Sequence, residues 1–311
     1  MSAHPTAPPP PLDLPPLPLE AWAGTKDTLH LYAQIVGKVR AALHPKLNHW
    51  WHVTLYVSPR GLTTRAVPYG GGAFEVAFDL IDHALGVTTS RGGQRAFPLA
   101  GLTVADFHGR LFDALADLGI EARIRPEPYE HESKVPFPDD RAARPYDAAY
   151  VHRFWRALVQ ADGVLREFGG RFLGKQTPVH LFWHSFDLAL TRFSGRAAPP
   201  MTGGTRADRE AYSHEVVSFG FWAGDRSFAE PAFYSYTYPE PAGLAEEPLR
   251  PGAAFWADRN GSALAVLRYE DVRGAADPRG ALLEFLEGAY RAGARRAGWP
   301  VDELRTPWAP G

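Results

Sequence analysis

From residue 25 onward, Leu29, Tyr32, Ile35, Val36, Val39 and Leu43 recur at three- and four-residue intervals, the spacing of one face of an α-helix. "TKDTLHLYAQIVGKVRAAL" therefore predicts an amphipathic helix, with Thr25 or Asp27 available as its cap. The period then shortens to two. "WHVTLYV", "FEVAFDLI", "LGVTTS" and "QRAFPL" alternate apolar and polar positions between Gly and Pro clusters, which predicts antiparallel strands joined by turns. "TVADFHGRLFDALADLG" returns to the helical period, with Thr103 as cap and Gly119 as stop, and "IEARIRP" alternates once more as a closing strand.

Residues 127–147, "EPYEHESKVPFPDDRAARPYD", carry neither period and read as a linker. Beyond them the order begins again. "AAYVHRFWRALVQADGVLREF" is helical, "HLFWHSFDLALTRF", "HEVVSFGFW", "AFYSYTY" and "SALAVLRYE" are strand-like, and "DPRGALLEFLEGAYRAGARRAG" is helical. Three local matches recur in the same order in the two parts. Trp51-His52 with Arg60 parallels Trp183-His184 with Arg192, Glu75-Val76 parallels Glu215-Val216, and "ADFHGRLFDAL" aligns with "ADPRGALLEFL" without a gap. The expected fold class is α+β, two similar halves that are each an antiparallel sheet flanked by helices, through internal duplication. The expected division is a Pro-rich disordered leader at 1–20, a first half at 21–126, the linker at 127–147 and a second half at 148–311.

Composition narrows the chemistry. A chain of 311 residues with 45% hydrophobic and 22% charged positions has ample material for a core, and 13% aromatic residues enrich it. A formal charge of −2 with scattered Lys and Arg argues against nucleic acid as a partner. With no Cys, thiolate nucleophiles and Cys-ligated metals are excluded, so a metal would need His, Asp or Glu. The N-terminus lacks the basic start and apolar run of a signal peptide, and no stretch approaches a membrane span. A cytoplasmic protein without membrane contact is expected.

Candidate site residues come from strand faces, because residues two apart share a face. Taken as one strand, the second Trp-His segment puts His180, His184 and Phe186 on one face and Trp183, Asp187 and Thr191 on the other, so Asp187 is expected to be buried and to need a partner, Arg192 or Arg196. His214 and Glu215 are adjacent and point to opposite faces, which excludes a tandem ligand pair. His180, His184 and His214 could meet across the sheet as a Zn or Fe(II) site, although each also suits a hydrogen-bonded core position. His52 lies on the polar face of the first strand, Tyr236 stands in a row with Tyr234 and Tyr238, and the Gly- and Pro-rich loop 194–212 offers a roof. Neither "GTK" nor "GGTR" completes a nucleotide fingerprint, so the cofactor stays open.

"TLHLYAQIVGKVR", "NHWWHVTLYVSPRGLTT", "FWHSFDLALTRFSGR" and "AYSHEVVSFGFW" resemble the uncharacterised bacterial family DUF5996, also described as Ava-type related proteins. The resemblance runs the whole chain apart from the leader and implies no activity. His184 stands where that family's usual residue is small. The leading expectation is a small-molecule enzyme in which His214 is the general acid or base with Asp187, while Arg192, Arg196, Glu215, Tyr236 and His52 hold a polar or anionic substrate. The alternatives are a non-catalytic small-molecule-binding or interaction protein and a His/carboxylate metalloenzyme.

Overall fold

A computed structural model describes residues 11–307 and divides them between two antiparallel sheets of six strands each, flanked by helices. Helix α1 (Ala23–Leu43) precedes β1 (Tyr56–Ser58), β2 (Gly61–Thr63), β3 (Val67–Tyr69), β4 (Gly72–Asp79), β5 (Ala84–Thr89), β6 (Gln94–Pro98) and α2 (Val104–Asp117). The first sheet runs β1-β2-β4-β5-β6, with β3 also on β4. Helix α3 (Ala148–Gly169) opens the second part, followed by β7 (His180–Phe182), β8 (Asp187–Ala197), α4 (Arg206–Ala211), β9 (His214–Trp222), β10 (Ala232–Tyr238), β11 (Phe255–Arg259), β12 (Ser262–Arg268), α5 (Tyr269–Arg273) and α6 (Pro278–Arg296). Its spatial order is β11-β12-β10-β9-β8-β7. The repeated plan of helix, antiparallel sheet and helix is the α+β arrangement the periodicity predicts, and the similar sheets are consistent with duplication.

The sequence matches do not all fall in equivalent places. Counted from the edge where the sheets meet, Glu75 on β4 and Glu215 on β9 both sit on the third strand. Trp51-His52 precede β1 in an irregular turn, whereas Trp183-His184 occupy the turn between β7 and β8. Asp106 is the third helical residue of α2, where it completes a capping box with Thr103, while Asp277 is itself the cap of α6.

Other expectations change for local reasons. The strand proposed over 51–57 shrinks to β1, because His49 and Trp50 take left-handed backbone angles (φ 52° and 61°) that curl the chain first. "IEARIRP" forms no strand, and α1 starts at Ala23 with Trp22 as an N-cap that makes no side-chain bond. The leader is ordered where described: Leu14 and Leu17 are buried, Asp13 pairs with Arg156, and the Tyr269 hydroxyl donates to the Pro15 carbonyl at 2.8 Å. The rest of the expected disordered leader, residues 1–10, lies outside the described residues.

The two sheets meet edge to edge. Leu55, just before β1, and Leu181 in β7 form an antiparallel bridge. Beside it the Trp183 indole donates to the Val53 carbonyl at 2.9 Å and covers Gly37 of α1 so closely that a Cβ there would lie 2.1 Å from the ring. One continuous cluster of buried side chains extends from Leu17 and Tyr32 through Phe107, Phe154 and Leu181 to Phe219, Phe285 and Trp299. Helices α3 and α6 cover the same face of the second sheet, where Phe168 meets Phe219 and Gly293 lets α6 approach Thr237 and Val217.

Candidate functional site

Strand pairing sorts the candidate residues. Asp187 stands opposite Trp222 in the β8–β9 pair and His214 stands opposite Ala197, so the two occupy opposite ends of it. Eight residue steps separate His214 from Trp222, about 26 Å at roughly 3.3 Å per residue. Asp187 and His214 thus do not converge on one small ligand, which corrects the site expected from the hairpin. The hairpin itself forms, but β8 is long enough to hold its ends apart.

Arg192 pairs with Val217, one residue out of phase with Asp187 and His214, and so lies on the helix-covered face while they lie on the other. The expected Asp187–Arg192 pair is therefore excluded by the pleat. Asp187 is buried as expected, but its carboxylate accepts from the Ser185 and Tyr234 hydroxyls. Burial, and next the Asp187 charge, push the Tyr234 phenol well above its ordinary pKa. Tyr236 lies on the same face and shares a 2.8 Å hydrogen bond with Tyr212, from the end of the expected roof loop; the Tyr236 charge and burial raise the Tyr212 pKa in turn. This face holds one carboxylate bonded by two hydroxyls and a separate tyrosine pair, of which Tyr236 shares a strand with Tyr234.

The remaining candidates have local partners. Arg196 donates to Glu215 at 2.9 Å and to the Ala297 and Gly298 carbonyls at 2.5 and 3.3 Å, tying β8 and β9 to the C-terminal end of α6. Glu215 also accepts from Trp299 at 3.1 Å. His52 is buried and accepts from the Leu47 backbone N–H at 3.3 Å, so it holds the turn before β1. His214 packs edge-on to His49, with 5.3 Å between ring centroids.

His180 and His184 do not join His214. His180 is fully buried beside Tyr56, and burial followed by the Arg40 and Arg65 charges depresses its pKa to about 3. His184 lies in the β7–β8 turn, 3.6 Å from Glu130, and burial lowers its pKa. The turn at residues 183–186, with Phe186 at φ 56°, also places His180 opposite Ala189, on the Asp187 face and not across the strand from it. Among the described residues no group of three or more His, Asp or Glu side chains could hold a metal ion.

A concavity lies on the helix side. A cleft of about 730 Å³ opens between α6, the end of α3, the 247–250 loop and the 301–305 segment, and Arg192 lines its floor. The Arg192 side chain is 1% exposed. Its guanidinium lies 3.5 Å from the Phe168 ring centre, 4.5 Å from Tyr290 and 4.8 Å from Phe172, and Nη2 donates to the Phe168 carbonyl at 2.6 Å. No carboxylate of the described residues comes within ion-pair distance, and Nε has no partner. Burial lowers the Arg192 pKa to about 10, with Glu287 acting against the shift, so it remains a cation at neutral pH.

Beside it the buried Tyr290 hydroxyl also lacks a hydrogen-bond partner. Arg171 is different in that its charge is paired, with Glu167 at 2.8 Å and Glu287 at 3.4 Å. Of these groups only Arg192 stood out in the sequence. The usable sign of the rest was the run "EGAYRAGARR", whose Glu287, Arg291 and Arg295 repeat every four residues along one face of α6.

The family model described as "Family of unknown function (DUF5996)" matches residues 14–306. No curated protein and no solved structure matches the chain.

Proposed function

We propose that this chain, which belongs to the DUF5996 family, binds a small anionic molecule in the cleft floored by Arg192. The observation that carries the reading is a buried guanidinium with no carboxylate partner beside an unpartnered phenol, both lining one cavity. A cation withdrawn from water costs several kcal/mol unless it is paired, and the surrounding rings return only part of that through cation–π attraction, about 2 kcal/mol. An anion entering the cleft would supply the missing charge, and a carboxylate oxygen could also accept from Tyr290.

Binding takes precedence over acid–base turnover because the two groups meant to move protons, His214 and Asp187, stand at opposite ends of the β8–β9 pair. The absence of Cys suits a reducing, cytoplasmic setting, and no helix of the described residues is long and apolar enough to cross a membrane.

The test is thermal unfolding in formate, acetate or propionate, each against sodium chloride of equal ionic strength. A site-bound anion raises the Tm with a saturating dependence on concentration, and Arg192→Gln removes the rise. Anions that act no differently from chloride would eliminate the reading.

A further inference from the structure

The cleft is graded in charge from floor to rim. At the floor Arg192 has no ion-pair partner among the described residues, whereas Arg171 is paired with Glu167 and Glu287. At the rim Arg250, Arg291 and Arg295 are exposed, and none has an ion-pair partner among the described residues. Two carboxylates of the lining, Glu284 and Asp302, are likewise unpaired, so four free guanidiniums face two free carboxylates and leave an excess of positive charge. Arg291 and Arg295 are one turn apart on α6 and project to the same side. Arg250 approaches that face where Gly288 leaves room: a Cβ at Gly288 would sit 3.7 Å from the Arg250 amide.

The two levels suit different anions. A single buried guanidinium with one phenol donor matches a monoanion, because desolvating a dianion beside one cation and near Glu287 would leave half its charge uncompensated. Three exposed guanidiniums match a phosphate, which carries nearly two charges and several acceptor oxygens and remains partly hydrated at the rim. The last turn of α6 carries the negative end of the helix dipole, so part of the Arg295 charge is already offset and Arg291 and Arg250 carry more of the contact. Leu283, Val301 and Leu304 also line the cleft and offer an apolar surface to a carbon chain.

We infer that the cleft takes a small phosphorylated carboxylic acid, its carboxylate on Arg192 and Tyr290 and its phosphate among Arg250, Arg291 and Arg295. The inference rests on the anion-binding reading and adds the second charge and its direction.

Titration calorimetry at constant ionic strength tests it with inorganic phosphate, a series of unbranched monocarboxylates, and the phosphonoalkanoates of matching length from phosphonoacetate to 5-phosphonopentanoate. At least one phosphonoalkanoate should bind roughly tenfold or more tightly than both inorganic phosphate and its matched monocarboxylate, since two linked contacts reinforce each other. The double variant Arg291→Gln/Arg295→Gln should remove that gain and leave monocarboxylate affinity in place. Tyr290→Phe, which keeps the fold-bearing ring, should weaken the carboxylates and leave inorganic phosphate unchanged. Phosphonoalkanoates no tighter than their monocarboxylates, or a gain that survives the double variant, overturn the inference while the Arg192 reading stands. If no monocarboxylate, phosphate or phosphonoalkanoate binds, both fail together.

Discussion

Leu55 and Leu181 exchange both backbone hydrogen bonds, at 2.9 and 2.7 Å, and so join the edge strand of one sheet to the edge strand of the other. The bridge leaves neither edge open at that point, and Trp183 locks it by filling the space over Gly37. Gly37→Ala should therefore destabilise the protein by about 1–3 kcal/mol, because a methyl group must displace a packed indole. Gly163, in α3 with open space around its Cβ direction, is the control: Gly163→Ala should stabilise by roughly 0.5–1 kcal/mol through helix propensity. Urea unfolding of both variants measures the contrast, and equal effects would discount the close approach.

Arg192→Met keeps the side-chain volume and removes the charge. Its stability should match or exceed the parent by up to about 2 kcal/mol, while stabilisation by added anions disappears. A loss of more than about 3 kcal/mol in chemical denaturation would instead assign Arg192 to holding the end of α3 through the Phe168 carbonyl.

Two buried histidines make stability fall in acid. Burial first, then the His131 and Lys26 charges, lower His30 to about 3, and His180 is lowered to about 3 by burial, Arg40 and Arg65. Between roughly pH 6.5 and 3 the unfolded chain binds these two protons and the folded chain does not, so stability is present above that window and is lost as pH falls through it. Each histidine contributes about 1.4 kcal/mol per pH unit. His180→Phe should remove one proton from the uptake measured between pH 6 and 4; an unchanged slope would show that His180 is already solvated or charged in the folded state.

Asp187 and Tyr234 should be energetically coupled. Asp187→Ala leaves the Tyr234 hydroxyl buried without its acceptor and should cost about 1–3 kcal/mol. That is less than a stranded cation would cost, because the partners turned out to be neutral hydroxyls. With Tyr234→Phe present, the Asp187→Ala cost should shrink by about 1 kcal/mol or more in a double-mutant cycle. Additive losses would mean that the hydrogen bond carries no net coupling.

Helical periods placed α1, α2, α3 and α6, and strand periods placed β4, β5, β9, β10 and β12, because each buries one face against a core that its own residues announce. The short segments escaped notice for the opposite reason. Three-residue strands such as β2 and β3 hold no readable alternation, and the turn at Trp183–Phe186 hides in a run of aromatic residues without Gly or Pro. That hidden turn, together with the length of β8, dissolved the expected site: face assignments are valid only within an unbroken strand, so His180 changed sides relative to Asp187. Asp187 burial was legible from alternation, whereas Arg192 stood out by its repeated spacing from Trp-His and as a partner for Asp187, a pairing the pleat excludes. The cleft was not legible, since its wall joins β8, α6 and the C-terminal segment, which no local period can bring together.

The docking of the leader has a consequence for a chain emerging from the ribosome. Pro15 receives its hydrogen bond from Tyr269, 254 residues later, and Leu17 is fully buried in the assembled core. During vectorial synthesis the Pro15 contact cannot form until Tyr269 has emerged, whereas Asp13 can pair with Arg156 of α3 earlier. Closing so long a loop adds little to the equilibrium cost, which grows only with the logarithm of its length, but it delays the contact. A nascent chain halted before Tyr269 therefore lacks that anchor on the leader.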